Sequence, residues 1–98
     1  MIAIKVHRKG NEVLVAACDE NLLGKKLAEG EVHLYVNPEF YDAQRVDRET
    51  FLTNLRIATI ANLVGKEVVA IGIEEGFVDE EGVLYIEGVP HAQIFWMI

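Results

Sequence analysis

The main candidates for chemistry in this chain are Cys18, Asp19, Asn62, His91 and Gln93. Cys18 stands where an alternating apolar stretch runs into a turn, a position at which nucleophiles are often displayed. An imidazole within hydrogen-bond reach lowers a thiol's pKa and produces the thiolate, and a carboxylate or amide can hold that imidazole in place. In that arrangement Cys18 is the nucleophile of a small hydrolase or transferase, His91 its base, and Asn62 or Asp19 the orienting group. Cys18, Asp19 and His91 are also metal-ligand types, but their spacing matches no metal motif. The plainer reading of a lone cysteine at a strand end is a small buried hydrophobe. No metal and no cofactor is expected.

The most distinctive local sequence is Gly88-Val89-Pro90-His91-Ala92-Gln93. Pro90 fixes one dihedral and holds Val89 extended, while Gly88 allows a positive φ, so the backbone path is stiff. A stiff loop presenting His91 and Gln93 suits a binding site. The alternative is that both side chains only satisfy backbone groups where the last strand begins. Binding residues are therefore sought among Asp19, Asn62, His91 and Gln93.

These residues need elements to position them. Ile2, Ile4 and Val6 alternate with polar positions, Lys9-Gly10-Asn11 signals a turn, and Val13, Val15 and Ala17 resume the alternation up to Cys18. This pattern predicts a β-hairpin with an exposed His7. Asp19 is placed to cap a short helical turn that ends at Gly24. Lys25 to Ala28 reads as a short extended piece, Val32 to Val36 as a third strand, Pro38 to Tyr41 as a short helix, and Asp42 to Val46 as a loop.

Asp47 to Gly65 reads as one long central helix, capped by Asp47 and ended by Gly65. Phe51, Leu52, Leu55 and Ala58 make one apolar stripe at helical spacing, and Ile57, Ile60 and Val64 a second. Two apolar faces imply burial of the second half, with Thr59 and Asn62 turned toward the core. Lys66 to Glu75 fits either a strand or a short helix, and the exit at Gly76 favours the helix. Val83 to Ile86 and Gln93 to Ile98 read as strands joined through a turn at Glu87-Gly88.

Composition bounds the class. Ninety-eight residues with 51% hydrophobic content suit one domain with one core over residues 1–98. No apolar run approaches the ~18 residues of a membrane span. The opening MIAIKVHRKG is too short and too alternating for a signal peptide, so a cytoplasmic protein is expected. A single cysteine excludes an internal disulfide. Residues 1–65 carry eight Lys/Arg against nine Asp/Glu, whereas residues 66–98 carry one against seven. An acidic chain of net charge −7 is repelled by phosphate backbones, which makes direct nucleic-acid binding a poor expectation. Lys5, Arg8 and Lys9, with Lys25 and Lys26, read as a solvated mixed surface that could at most touch RNA. The acidic last third suits a basic protein partner.

ACDENLLGKKLAEGEVHLYV, TIANLVGK and GFVDEEGVLYIEGVPHAQ together resemble the archaeal "domain of unknown function 424" family of small proteins, across about Val13 to Gln93. The pairing of TIAN-VG with GVPHAQ carries the resemblance. It implies an archaeal, cytoplasmic, single-domain protein of no established activity. Its motif residues map onto Cys18, Asp19, Ala61, Asn62 and Pro90 to Gln93, and it implies a loose association with translation. The apolar run Ile94 to Ile98 goes beyond the motif, and as an edge strand it could pair with a second copy across a two-fold axis.

The expected architecture is α+β: a mainly antiparallel sheet packed on the long central helix, with short additional helices. Two functions fit it. One is a non-enzymatic binding or interaction domain using His91, Gln93 and Asn62. The other is the Cys18–His91 enzyme, which needs those two side chains close together in an open cleft.

Overall fold

The computed structural model describes residues 1–95. The chain runs β1 (Ile2–Lys9), β2 (Glu12–Asp19), β3 (Lys26–Glu29), β4 (Val32–Tyr35), α1 (Pro38–Tyr41), β5 (Gln44–Val46), α2 (Arg48–Ile57), β6 (Ile60–Val64), α3 (Lys66–Glu74), β7 (Leu84–Ile86) and β8 (Val89–Phe95). Six strands form one sheet in the order β5-β1-β2-β6-β8-β7, and β3 and β4 form a separate hairpin. Every neighbouring pair is antiparallel except β2 with β6. A parallel pair needs a crossover, and the chain from β3 to α2 supplies it. The α+β class and the mainly antiparallel sheet agree with the sequence.

The long helix does not form. α2 has ten residues, capped by Asp47, whose carboxylate accepts from Thr50 N. Ala58 is already extended at φ −72° and ψ 145°. The following residues become β6, with β2 on one side and β8 on the other. Residues apolar on two helical stripes are equally apolar on the two faces of a strand buried from both sides. Thr59 fixes the switch: its N–H donates to Val13 O (2.8 Å), and Val13 N donates to its hydroxyl oxygen (2.8 Å).

Other segments also depart from expectation. Gln44 to Val46 is not loop but β5, paired with Ile2 to Ile4. The ambiguous segment is helix, as α3. Gly65 does not end a helix; it opens α3, at φ 125°. Pro90 to Gln93 is not a loop but lies within β8. Glu87 and Gly88 take φ of 52° and 78°, the left-handed pair of a tight hairpin turn between β7 and β8. Pro90 is tolerated because its carbonyl accepts from Gly65 N (2.9 Å), where β6 ends and no strand requires the missing N–H. Of the expected terminal strand, Trp96 to Ile98 lies outside the described residues.

Side chains alternate across the sheet and build two cores. On one face Ile2, Ile4, Val15, Ala61 and Leu63 pack with Phe51, Leu52 and Leu55 of α2 and with Val68 and Val69 of α3. On the other, Ala3, Ala16, Cys18 and Val64 lie under Leu22, Leu27, Val36 and Tyr41. The first face is covered by two helices. The second carries a smaller cover that meets β8 at Val89 and leaves Gln93 and Phe95 exposed.

Candidate functional site

β6 and β8 bring together the residues that the sequence singles out. Asn62 is the cross-strand partner of Gln93, and Val64 that of His91. Asn62, Val64, His91 and Gln93 therefore lie on the less covered face, the period of two having sent Ala61, Leu63, Ala92 and Ile94 into the helical core. α1 completes the group from above. Asn37 caps it by accepting from Glu39 N, Pro38 stands in the first turn, and the turn delivers a buried Tyr41.

Asn62 Oδ1 is the centre of the group. It accepts the Tyr41 hydroxyl at 2.6 Å and faces His91 Nε2 at 3.3 Å. In the neutral imidazole with Nε2 donating, Nδ1 is an acceptor. Half-burial holds the His91 pKa below the ordinary histidine value, and burial, then the nearby thiol, raises that of Tyr41. All three groups are therefore neutral at pH 7. No buried side-chain nitrogen or oxygen among the described residues lacks a partner. Among the described residues Asn62 Nδ2 and His91 Nδ1 find no hydrogen-bond partner, so neither is fully shut off from solvent. A fixed donor stands beside a fixed acceptor, with the exposed amide of Gln93 next to them. Apolar side chains frame the group on the same face: Leu84, opposite His91 and 50% exposed, and Phe95, opposite Ile60 and 67% exposed.

Cys18 and Asp19 belong elsewhere. Cys18 pairs with Val64, which pairs with His91, so the whole of β6 separates thiol from imidazole. Two strand spacings put their backbones roughly 10 Å apart. The thiol is fully buried, and burial, followed by the charges of Asp19 and Asp42, pushes its pKa from 9.0 to about 12. A protonated, inaccessible thiol is a packing group. Among the described residues the thiol and the imidazole do not share the open cleft that the enzyme reading requires.

Asp19 does not cap the helical turn that follows it. Its oxygens reach across to α3 and accept from Glu67 N and Val68 N, each at 3.0 Å. The cap comes from a strand far away in sequence, and it explains Gly65. A side chain there would collide with the Asp19 carboxylate, besides straining a positive φ. Cys18, Asp19 and His91 do not form a metal-ligating set, and the described residues contain no group of three such ligands.

Two further sequence expectations change. His7 is not exposed; it is half-buried, within 2.9 Å of Phe40 O, with its ring stacked on Phe40 at 4.8 Å. Lys5 and Lys26 of the basic group are engaged, Lys5 on Glu39 O (2.8 Å) and Lys26 over the Tyr35 ring. Sequence reasoning missed Tyr41. Its signal was the Asn37-Pro38 helix start, which identifies a short helix but not the strand it covers.

The sequence pattern of the family described as "Protein of unknown function (DUF424)" matches residues 7–97, and the chain belongs to that family. No curated protein matches. A crystal structure of an uncharacterized conserved protein from Methanopyrus kandleri has the same fold, with a TM-score of 0.80 and 24% identity, over 95% of this chain and 89% of that one. The family resemblance expected from TIAN-VG and GVPHAQ is therefore correct. Among the described residues no helix is long and apolar enough to cross a membrane.

Proposed function

We propose that this protein is a non-enzymatic binding domain of the cytoplasm whose contact surface is the sheet face around Asn62, His91 and Gln93. One observation carries the reading. The hydrogen bonds of Tyr41 and His91 to Asn62 Oδ1 fix the two side chains, yet leave Asn62 Nδ2 and His91 Nδ1 unused and reachable. A neutral donor–acceptor pair rimmed by Leu84, Ile60 and Phe95 suits a polar group with apolar surroundings, such as a backbone amide or an uncharged side chain of a protein partner. It offers no cation to a phosphate, in keeping with a protein rather than a nucleic acid as partner. An association with translation rests on the family resemblance alone. The Cys18–His91 enzyme loses its support with the buried thiol.

The test is affinity capture from lysate of the source organism, with bound protein and RNA identified. The wild type is compared with His91→Ala/Gln93→Ala, and circular dichroism verifies that the variant is folded. A protein held by the wild type and lost by the folded variant supports the reading. Identical capture by both forms overturns it.

A further inference from the structure

β8 is paired along only part of its outer side. The bond from Gly65 N to Pro90 O fixes the alternation: Pro90, Ala92 and Ile94 turn their main-chain groups toward β6, and Val89, His91, Gln93 and Phe95 turn theirs away. β7 covers Val89 with Ile86 and His91 with Leu84, and there it ends. Toward its N-terminal side the chain leaves the sheet through the helical turn Glu80–Gly82. Among the described residues no strand pairs with the outward N–H and C=O groups of Gln93 and Phe95, which lie beside a recess of about 250 Å³ lined by Val78, Asp79, Gly82, Ala92 and Ile94 among others. An open edge beside a recess is a template for an added strand.

The charge at this edge indicates the occupant. Asp79 lines the recess, Glu80 and Glu81 follow it in the helical turn that leads to Gly82, and from Glu67 onward the chain has seven acids and no Lys or Arg. Arg48, which reaches this acidic part of the chain, pairs with Glu74 and Glu75. Among the described residues no cation pairs with Asp79, Glu80 or Glu81. A second copy would set two acidic lips against each other.

We infer that the outer edge of β8 from Gln93 to Phe95 receives an extended, basic segment of a partner protein, which continues the sheet beyond β7. Gln93 and Phe95 supply two donors and two acceptors to its backbone. Alternate side chains of the segment enter the recess toward Ala92 and Ile94, while its Lys or Arg residues meet Asp79, Glu80 and Glu81. This edge is main chain and is separate from the side-chain site on the face.

The probe is a capped heptapeptide alternating Lys and Val, titrated into ¹⁵N-labelled protein while amide exchange is followed. Saturation should slow exchange at Gln93 and Phe95 at least tenfold. N-methylation of alternate peptide residues should weaken binding at least tenfold, and Asp79→Asn/Glu80→Gln/Glu81→Gln should weaken it by about tenfold. His91→Ala, which disrupts only the face, should bind the peptide as the wild type does. No binding at millimolar peptide overturns the inference, as does binding indifferent to N-methylation. So does protection of the two amides that rises with protein concentration alone, because that would make the occupant a second copy. A loss of binding in His91→Ala would overturn the edge as a separate site.

Discussion

The motif residues of this small protein divide into two groups that differ in how their polar atoms are used. At the corner where β2 meets α3, Cys18 is sealed in apolar packing and both Asp19 oxygens receive backbone N–H groups. Gly65 leaves room for that carboxylate. On the face of β6 and β8, Asn62 and His91 are held by one shared oxygen but keep a donor and an acceptor in reserve. A group whose hydrogen-bonding capacity is used up inside the protein serves the fold. A group held rigid with capacity left over is what a binding surface requires. Residues of one motif set can thus have different reasons for being there.

The widest gap between the two regions should appear in thiol chemistry. With its pKa near 12 instead of 9.0, Cys18 carries about 10³-fold less thiolate at pH 8 than a free thiol. Labelling with a thiol reagent should be slower by at least that factor in the native protein and normal after denaturation. Rapid native labelling would break the comparison by making Cys18 a reactive group.

Gly65→Ala comes next. The new Cβ meets the Asp19 carboxylate at a backbone φ of 125°, and strain with loss of the cap should cost about 2–4 kcal/mol in denaturant unfolding. Asp19→Ala removes only the cap, at about 1–2 kcal/mol. If the two losses add in the double variant, the glycine and the carboxylate are not coupled as described.

The β-hairpin of β1 and β2 and the Pro38 helix were legible because period-two alternation and helix start signals are local, whereas α3 alternates like a strand and only its exit at Gly76 favoured the helix. β6 was not, because Ile60 to Val64 is apolar on both sides, a pattern a helix and a doubly buried strand share. Only pairing with β2 and β8 decides between them, and that is a long-range fact. β8 was misread for a related reason: Pro90 suggests a loop unless the strand beside it is known to have ended. Asn62, His91 and Gln93 were recognisable as residue types, but their meeting depended on the register of β6 with β8. The Asn37-Pro38 start placed Tyr41 on a short helix but not over β6, and the remote cap by Asp19 had no local signature at all.

The smallest effect expected is on pH dependence. Burial lowers the His91 pKa in the folded state, so the unfolded chain binds its proton first on acidification. The contribution of neutral His91 is fully present above the ordinary histidine range and declines as pH falls from there through the lowered folded value. Stability should therefore rise with pH across this window, and His91→Gln should flatten the rise in unfolding curves. Protonation also removes the Nδ1 acceptor, so binding at the face should weaken in the same direction.

The division between the two regions is most directly tested by measuring the unfolding free energies of Asp19→Ala and His91→Ala side by side with the wild type. Asp19→Ala should lose about 1–2 kcal/mol, as expected for a helix cap, and His91→Ala no more than about 0.5 kcal/mol, as expected for a partly exposed side chain. A His91→Ala loss equal to or larger than that of Asp19→Ala would mean that the Asn62–His91 group holds the fold together, and the binding face would lose its basis.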